Sequence, residues 1–274
     1  MTNNRKQILR GLVNAAGRGL EIGPSHNPIM PKSEGFNVEI VDHADKQALI
    51  KKYENDPSVN TATIEDVDYV SDGRPLTELI GTRNSYDYII ASHVIEHTPD
   101  MLMFLKDCEA LLAPDGLIVI AVPDKRFCFD VFRPISTVGA VLQAHLERRT
   151  RPQPGTIFDH VAYNAKRGGA PGWSESDRHE LRITHDIHKA IVMYDMCAGD
   201  PNRYMDAHVW CYVPSSFRLI VEDLRELGHL SLGISELITP GGFEFFVALS
   251  TRPNETRISR SQTLVMIQDE LRNV

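Results

Sequence analysis

The sequence predicts an α/β fold: a mostly parallel sheet closed by a C-terminal antiparallel hairpin and interrupted by a long, mainly helical insertion. Three observations lead there. An apolar segment ending Glu21-Ile22-Gly23 is followed about 20 residues later by Val38-Glu39-Ile40-Val41, which stops at Asp42; a Rossmann-type sheet holds a nucleoside between two strand tips at this spacing. Two further apolar runs, Tyr88 to Ala91 and Leu117 to Val122, have the length of buried strands and are separated by a helix-spaced stretch with a turn. Near the end, a helical pattern with Phe217, Ile220, Leu224 and Leu227 on one face runs into Gly228, and two extended runs follow.

Residues 4–16 read as a helix leading into the first strand. The turn after that strand is Gly23-Pro24-Ser25-His26-Asn27-Pro28, with one glycine and two prolines. A pyrophosphate needs a glycine-rich turn whose backbone N–H groups face the phosphates, and each proline removes a donor. Glu21 would also repel phosphate, but it suits an ammonium or a sulfonium. S-adenosylmethionine (SAM) carries both and has no phosphate, so it fits better than a dinucleotide; without a ligand, the same residues are a buried strand and a tight turn. Glu21 and Gly23 are expected to line the methionine end, Gly23 because the absent Cβ lets the backbone come close. Asp42 is expected to accept from both ribose hydroxyls, with His43 against the adenine. For the adenine edge Asp72-Gly73 is preferred to Asp66-Val67 on its spacing to the next strand at Asp87. Ser92 and His93 leave the fourth strand and are expected to flank the sulfonium. A helix over about 101–112, a stop at Pro114-Asp115-Gly116 and a strand ending at Pro123-Asp124 follow.

Between Asp124 and about Val213 the β/α alternation disappears. About 90 residues are too many for a simple loop, and Arg151-Pro152-Gln153-Pro154-Gly155 and Arg167-Gly168-Gly169-Ala170-Pro171-Gly172 interrupt them. The segment reads as a mainly helical cap with helices near 134–149 and 177–197. Ser215 is expected to cap the next helix. The extended runs His229 to Ile238 and Phe243 to Leu249, joined by Thr239-Pro240-Gly241-Gly242, read as the hairpin.

Taken in order, Glu-Ile-Gly at 21–23, Val41-Asp42, the run from Asp87 to His97, and Leu-Leu-Ala-Pro-Asp-Gly-Leu at 111–117 resemble the class I SAM-dependent methyltransferases. The resemblance covers residues 15–124, and 215–250 rejoin it. It implies a Rossmann-like, seven-stranded, mostly parallel sheet, with a SAM-binding core over 1–123, a substrate cap over 124–213, core completion over 214–250 and a tail or helix over 251–274. The residues from Ser92 to His97, Val122 to Phe127, Asp130, Phe158-Asp159-His160 and Asp206 to Trp210 further resemble a bacterial methyltransferase group linked to surface polysaccharide assembly. That implies methyl transfer to a hydroxyl of a sugar, glycan or related polar acceptor, with N- or C-transfer and a non-catalytic binding protein as alternatives. Trp173 and Trp210 would suit packing against a sugar.

His93-Val94-Ile95-Glu96-His97 also matches a zinc-protease pattern, but that pattern belongs within a helix and this one starts at a strand end. Some small-molecule O-methyltransferases hold a divalent metal with Glu-x-x-Glu-His at this place. Here His93 replaces the first Glu, and no metal ligand is assigned. A hydroxyl acceptor needs a base, and histidine suits the role. The insertion supplies His160, His179, His185, His188 and His208; His185 and His188 are expected on one helix face, and Asp206 and His208 on one face of an extended segment. His208 ranks first as base, then His160, then His93.

Composition narrows the partners. The chain has 274 residues, 42% hydrophobic, with a formal charge of −8, and Arg148-Arg149-Thr150-Arg151 is its one dense basic patch, which argues against nucleic acid. Cys108, Cys128, Cys197 and Cys211 show no paired spacing, as expected for reduced thiols in the cytoplasm. No run approaches a membrane span, and the polar start is not that of a signal peptide.

Overall fold

In the computed structural model, which describes residues 2–253 and 258–272, the apolar runs form the middle of one sheet. Numbered along the chain, β1 (Gly19–Ile22), β2 (Val38–Asp42), β3 (Tyr69–Val70), β4 (Tyr86–Ser92) and β5 (Leu112–Pro123) are parallel and lie in the order β3-β2-β1-β4-β5. β4 and β5 are flanked on both sides, which is why Ile89, Ile90, Ile118, Val119 and Ile120 need no polar alternation. The Pro114-Asp115-Gly116 turn falls within β5, and the pairing with β4 shifts between Tyr86 and Tyr88.

Each face of the sheet has its own core. On one, α1 (Thr2–Gly11) sets Leu9 with Ile29 and Met30 against Tyr88, Ile90 and Val119. On the other, α4 (Met101–Leu111) buries Leu102 and Leu105 against Ile89 and Ile118. Asp100 caps α4 by accepting from Met103 N at 2.8 Å. Two short helices, α2 (Lys46–Tyr53) and α3 (Leu76–Ile80), connect the strands between. α1 ends before the expected residue 16, at Gly11.

The insertion differs from its expected layout for local reasons. α5 (Val138–Leu146) starts only after Thr137, whose hydroxyl accepts from Ala140 N. α6 (Pro154–Ala162) occupies a stretch read as a break: Pro154 is its first residue, where a missing N–H costs nothing and the fixed φ is helical. Leu181–Ile183 (β7) is strand, paired antiparallel with β6 (Ala165–Arg167). α7 (Ile187–Gly199) starts after Asp186, which accepts from His188 N. His185 therefore precedes the helix and does not share a face with His188. Trp173 and Trp210 are both 3% exposed; Trp173 packs with Phe127 and Val131, and Trp210 donates to Thr98 O. Neither presents a face to an acceptor, since both bury their rings in the core.

The chain then rejoins the core through α8 (Pro214–Glu226), capped at Val213, whose N–H donates to Ser216 Oγ. The expected cap Ser215 instead donates to Glu270 on α9 (Arg260–Arg272). β8 (Gly233–Ile238) begins four residues later than expected, and β9 (Glu244–Ser250) enters antiparallel beside β5, completing the order β3-β2-β1-β4-β5-β9-β8. Of the C-terminal stretch read as a tail or helix, 258–272 contains α9, while 254–257 and 273–274 lie outside the described residues. No helix among the described residues is long and apolar enough to cross a membrane.

Candidate active site

Parallel strands bring their carboxyl ends to one edge, and that edge carries the expected cofactor residues. Gly23 follows β1 with φ 66°, and its N–H donates to Val41 O at 2.8 Å. A Cβ there would lie 3.0 Å from Val94 Cγ2, so the cradle depends on glycine. Asp42, 2% exposed, accepts from Ser25 N at 2.8 Å and His43 N at 2.7 Å, which ties the tip of β2 to the turn after β1. The His43 ring is half exposed beside it, with Nδ1 2.6 Å from Asp42. β3 ends just before Asp72-Gly73, whereas Asp66-Val67 precedes it. Asp72 is paired with Arg74. Glu21 is 1% exposed, and its two oxygens accept from Ile29 N at 2.6 Å and Met30 N at 3.0 Å in the loop after β1. Burial pushes its pKa up to about 7 against those bonds.

Next to this cradle, beyond β4, lies a histidine cluster. Ser92 ends the strand and His93 adopts φ 55°, a left-handed backbone unusual for a residue with a Cβ. One short turn, Ile95–His97, then places Glu96 inward with no exposed surface. The Glu96 carbonyl accepts from Val209 N at 2.6 Å and Trp210 N at 3.2 Å. Those bonds pin the end of the insertion against the turn, and the His208 and His97 rings meet edge to face with centroids 4.7 Å apart.

Each ring is held by a carboxylate from another segment. His208 Nδ1 makes a short bond to Asp130, and Arg133 donates to Asp130 and to His208 O, both at 2.8 Å. Burial alone would raise the Asp130 carboxyl, but His208 and Arg133 outweigh it and hold it well below the usual range. His97 Nδ1 lies 2.8 Å from Asp206, and His93 Nε2 lies 2.7 Å from Glu244, which also receives Arg5. Burial would lower the His93 ring, yet Glu244 and Glu96 lift it to about 9. The remaining nitrogens face Glu96 Oε1: His93 Nδ1 at 3.4 Å, His97 Nε2 at 3.8 Å and His208 Nε2 at 3.8 Å. None is aligned as a hydrogen bond, so among the described residues both Glu96 oxygens lack a hydrogen-bond partner.

The three candidate bases are thus neighbours of unequal aptitude. His208 has its Nδ1 fixed by Asp130, and its Nε2 faces Glu96 Oε1 without a hydrogen bond. His160 accepts from His208 N through Nδ1 at 3.3 Å, and burial drops its pKa to about 4. His93 has carboxylates facing both nitrogens. His160 also lines a pocket of about 190 Å³ with Asn164, His185, Lys189 and Asp206. Sequence reasoning gave no role to Glu96, Asp130, Arg133 or Glu244. Asp130 at least stands in the quoted run after β5, but no local pattern marks Glu244, which reaches His93 across 151 positions.

A parallel sheet with this order, an antiparallel last hairpin and an acid-tipped nucleoside edge define the class I methyltransferase fold. A methyltransferase-domain family model matches residues 3–185. The chain belongs to that family, whose cofactor is SAM, and the open cradle at Gly23 and the acceptor at Asp42 fit that cofactor. The ubiquinone biosynthesis O-methyltransferases of Bradyrhizobium diazoefficiens and Rhodopseudomonas palustris are each 31% identical over 85 residues, 31% of this chain. The match spans 26% of the length of each of these relatives. Among solved structures, an S-adenosylmethionine dependent methyltransferase from Mesorhizobium loti is similar with a TM-score of 0.47 at 11% identity, covering 91% of this chain and 99% of that one. The CcbJ methyltransferase from Streptomyces caelestis has a TM-score of 0.45 at 11% identity, covering 92% and 96%.

Proposed function

We propose that the protein is a SAM-dependent O-methyltransferase acting on a hydroxyl of a polar acceptor, with a sugar or glycan as the acceptor class. The observation that carries this reading is the His208–Asp130 pair beside the cofactor edge. A hydroxyl, unlike an unprotonated amine, must lose its proton as the methyl arrives, so it needs a nitrogen lone pair held in place. Asp130 fixes the tautomer with the proton on Nδ1, leaving the lone pair on His208 Nε2. Bound SAM supplies a methyl carbon activated by positive sulfur. Asp42 binds the ribose hydroxyls, Gly23 admits the methionine end, and His208 takes the acceptor proton while the cap excludes water. The pocket beside His160 offers Asn164, His185, Lys189 and Asp206 to a polar acceptor alongside the apolar Ile157, Val161, Met193 and Met205, and the names of the curated relatives support oxygen as the methylated atom.

The test begins with calorimetric titration of the purified protein with SAM and with its demethylated product, S-adenosylhomocysteine. Micromolar binding of both is expected, followed by transfer of labelled methyl from SAM to members of a sugar and polyol panel. Failure to bind either nucleoside would overturn the cofactor assignment. Labelling confined to amine acceptors would overturn the oxygen assignment.

A further inference from the structure

We propose that Glu96, His97 and His208 form a site for one divalent transition-metal cation, with zinc as the best-matched ion. One donor atom from each of the three residues lies within 4.8 Å of the other two, and Glu96 Oε1 is 3.8 Å from both His97 Nε2 and His208 Nε2. Each histidine presents its Nε2 because a carboxylate holds its Nδ1: Asp206 for His97 and Asp130 for His208. This carboxylate–histidine arrangement orients rings toward metals and raises their basicity as ligands. Independent of the rings, Glu96 is fully buried and neither oxygen has a hydrogen-bond partner among the described residues. The His93 ring at 3.4 Å offsets the charge of this buried carboxylate without an aligned hydrogen bond, and a cation at the meeting point of the three donors would give its oxygens the missing partner.

The chemistry of the donors selects the ion. Two imidazoles and one carboxylate suit zinc and its transition-metal neighbours, whereas magnesium and calcium prefer oxygen alone. Ligand atoms around tetrahedral zinc are about 3.3 Å apart at metal–ligand distances of about 2.0–2.1 Å. The present 3.8 Å separations of each Nε2 from Glu96 Oε1 close with small side-chain rotations. His97 is 30% exposed at its side chain, so the cluster can be reached from solvent. The third ligand comes from the insertion, 111 positions after His97, which is why the motif at 93–97 by itself gave no ligand set.

The cation's role, which rests on the proposed function, is to bind the acceptor hydroxyl and ease loss of its proton. Because the ring that serves as base in metal-free protein would serve as ligand in loaded protein, the proton would there leave to solvent water from a hydroxyl whose acidity the cation raises. Binding of the cation does not depend on that role.

The full chain, stripped with a chelator and dialysed, is titrated with Co²⁺ while the visible d–d absorption is followed, and the Co²⁺ is then displaced by Zn²⁺. One cation per chain is expected. His97→Gln is expected to weaken binding by at least a hundredfold and Asp206→Asn by about tenfold; Asp206 is 67% exposed at its side chain, so its variant tests the site without threatening the fold. Absence of stoichiometric binding, or affinity unchanged in both variants, would overturn the site. SAM titration of stripped protein is the control that separates the two readings: SAM binding without Co²⁺ binding removes the metal and keeps the methyltransferase, and the reverse keeps the metal and removes the cofactor.

Discussion

Two acids at adjacent strand tips work differently. Asp42 is proposed to hold the ribose, and Asp42→Ala is then expected to weaken SAM binding by about 1–3 kcal/mol through loss of those hydrogen bonds, measured by titration calorimetry. Unchanged affinity would mean that the ribose lies elsewhere. Glu21 instead braces the loop at Ile29 and Met30, and its folded pKa of about 7 exceeds the ordinary 4.5. The native state therefore holds the proton more tightly than the unfolded chain. Below about pH 4.5 Glu21 burial carries no ionisation penalty; the penalty grows between 4.5 and 7, and above that window it reaches about 3 kcal/mol. Glu21→Gln is expected to flatten the fall in urea-unfolding stability between pH 5 and pH 8. A slope equal to that of the wild type would show that other groups set it. At the acceptor side, His208→Ala is expected to lower turnover by at least a hundredfold with SAM affinity nearly intact; unimpaired turnover would move the base to another residue.

Elements are held to each other by close approaches that leave no room. In β1, a Cβ on Gly19 would come within 2.1 Å of the Tyr88 ring on β4. Gly19→Ala is expected to cost roughly 1–3 kcal/mol by forcing Tyr88 or the strand to move, read as a shift of the denaturation midpoint. α8 depends on Phe217, fully buried and packed edge to face against Tyr212 and Phe245. The apolar spacing of α8 was plain in the sequence. Its start was not: the helix begins at Pro214 after the cap at Val213, and the expected cap Ser215 is drawn to Glu270, 55 positions away. The helices of the insertion were misplaced for a related reason. Apolar periodicity extended past its true limits where Thr137 and Asp186 set the first turn, and Pro154, read as part of a break, instead opens α6.

Across the whole molecule, the insertion is fastened to the sheet edge by the Glu96 carbonyl, and its two ends are tied to each other by the Arg133–Asp130–His208 group. Removing the Arg133 charge leaves Asp130 buried with less compensation, so Arg133→Met is expected to destabilise the cap by about 3–5 kcal/mol, with faster hydrogen exchange in α6 and α7 than in β4 and β5. Uniform exchange changes would mean that cap and sheet open together. The sequence by itself determined the buried parallel strands, the acid-tipped nucleoside edge, the last helix with its hairpin and the presence of a long insertion. These are written in local periodicity, turn chemistry and strand-end residues, all of which act within a few positions. Tertiary structure alone decided that Glu96, His97 and His208 converge, that Glu21 bonds the loop after β1, that both tryptophans are buried, and that Glu244 reaches His93. Each of those outcomes depends on packing and charge pairing between segments distant in the chain, where no residue carries a local mark of its partner.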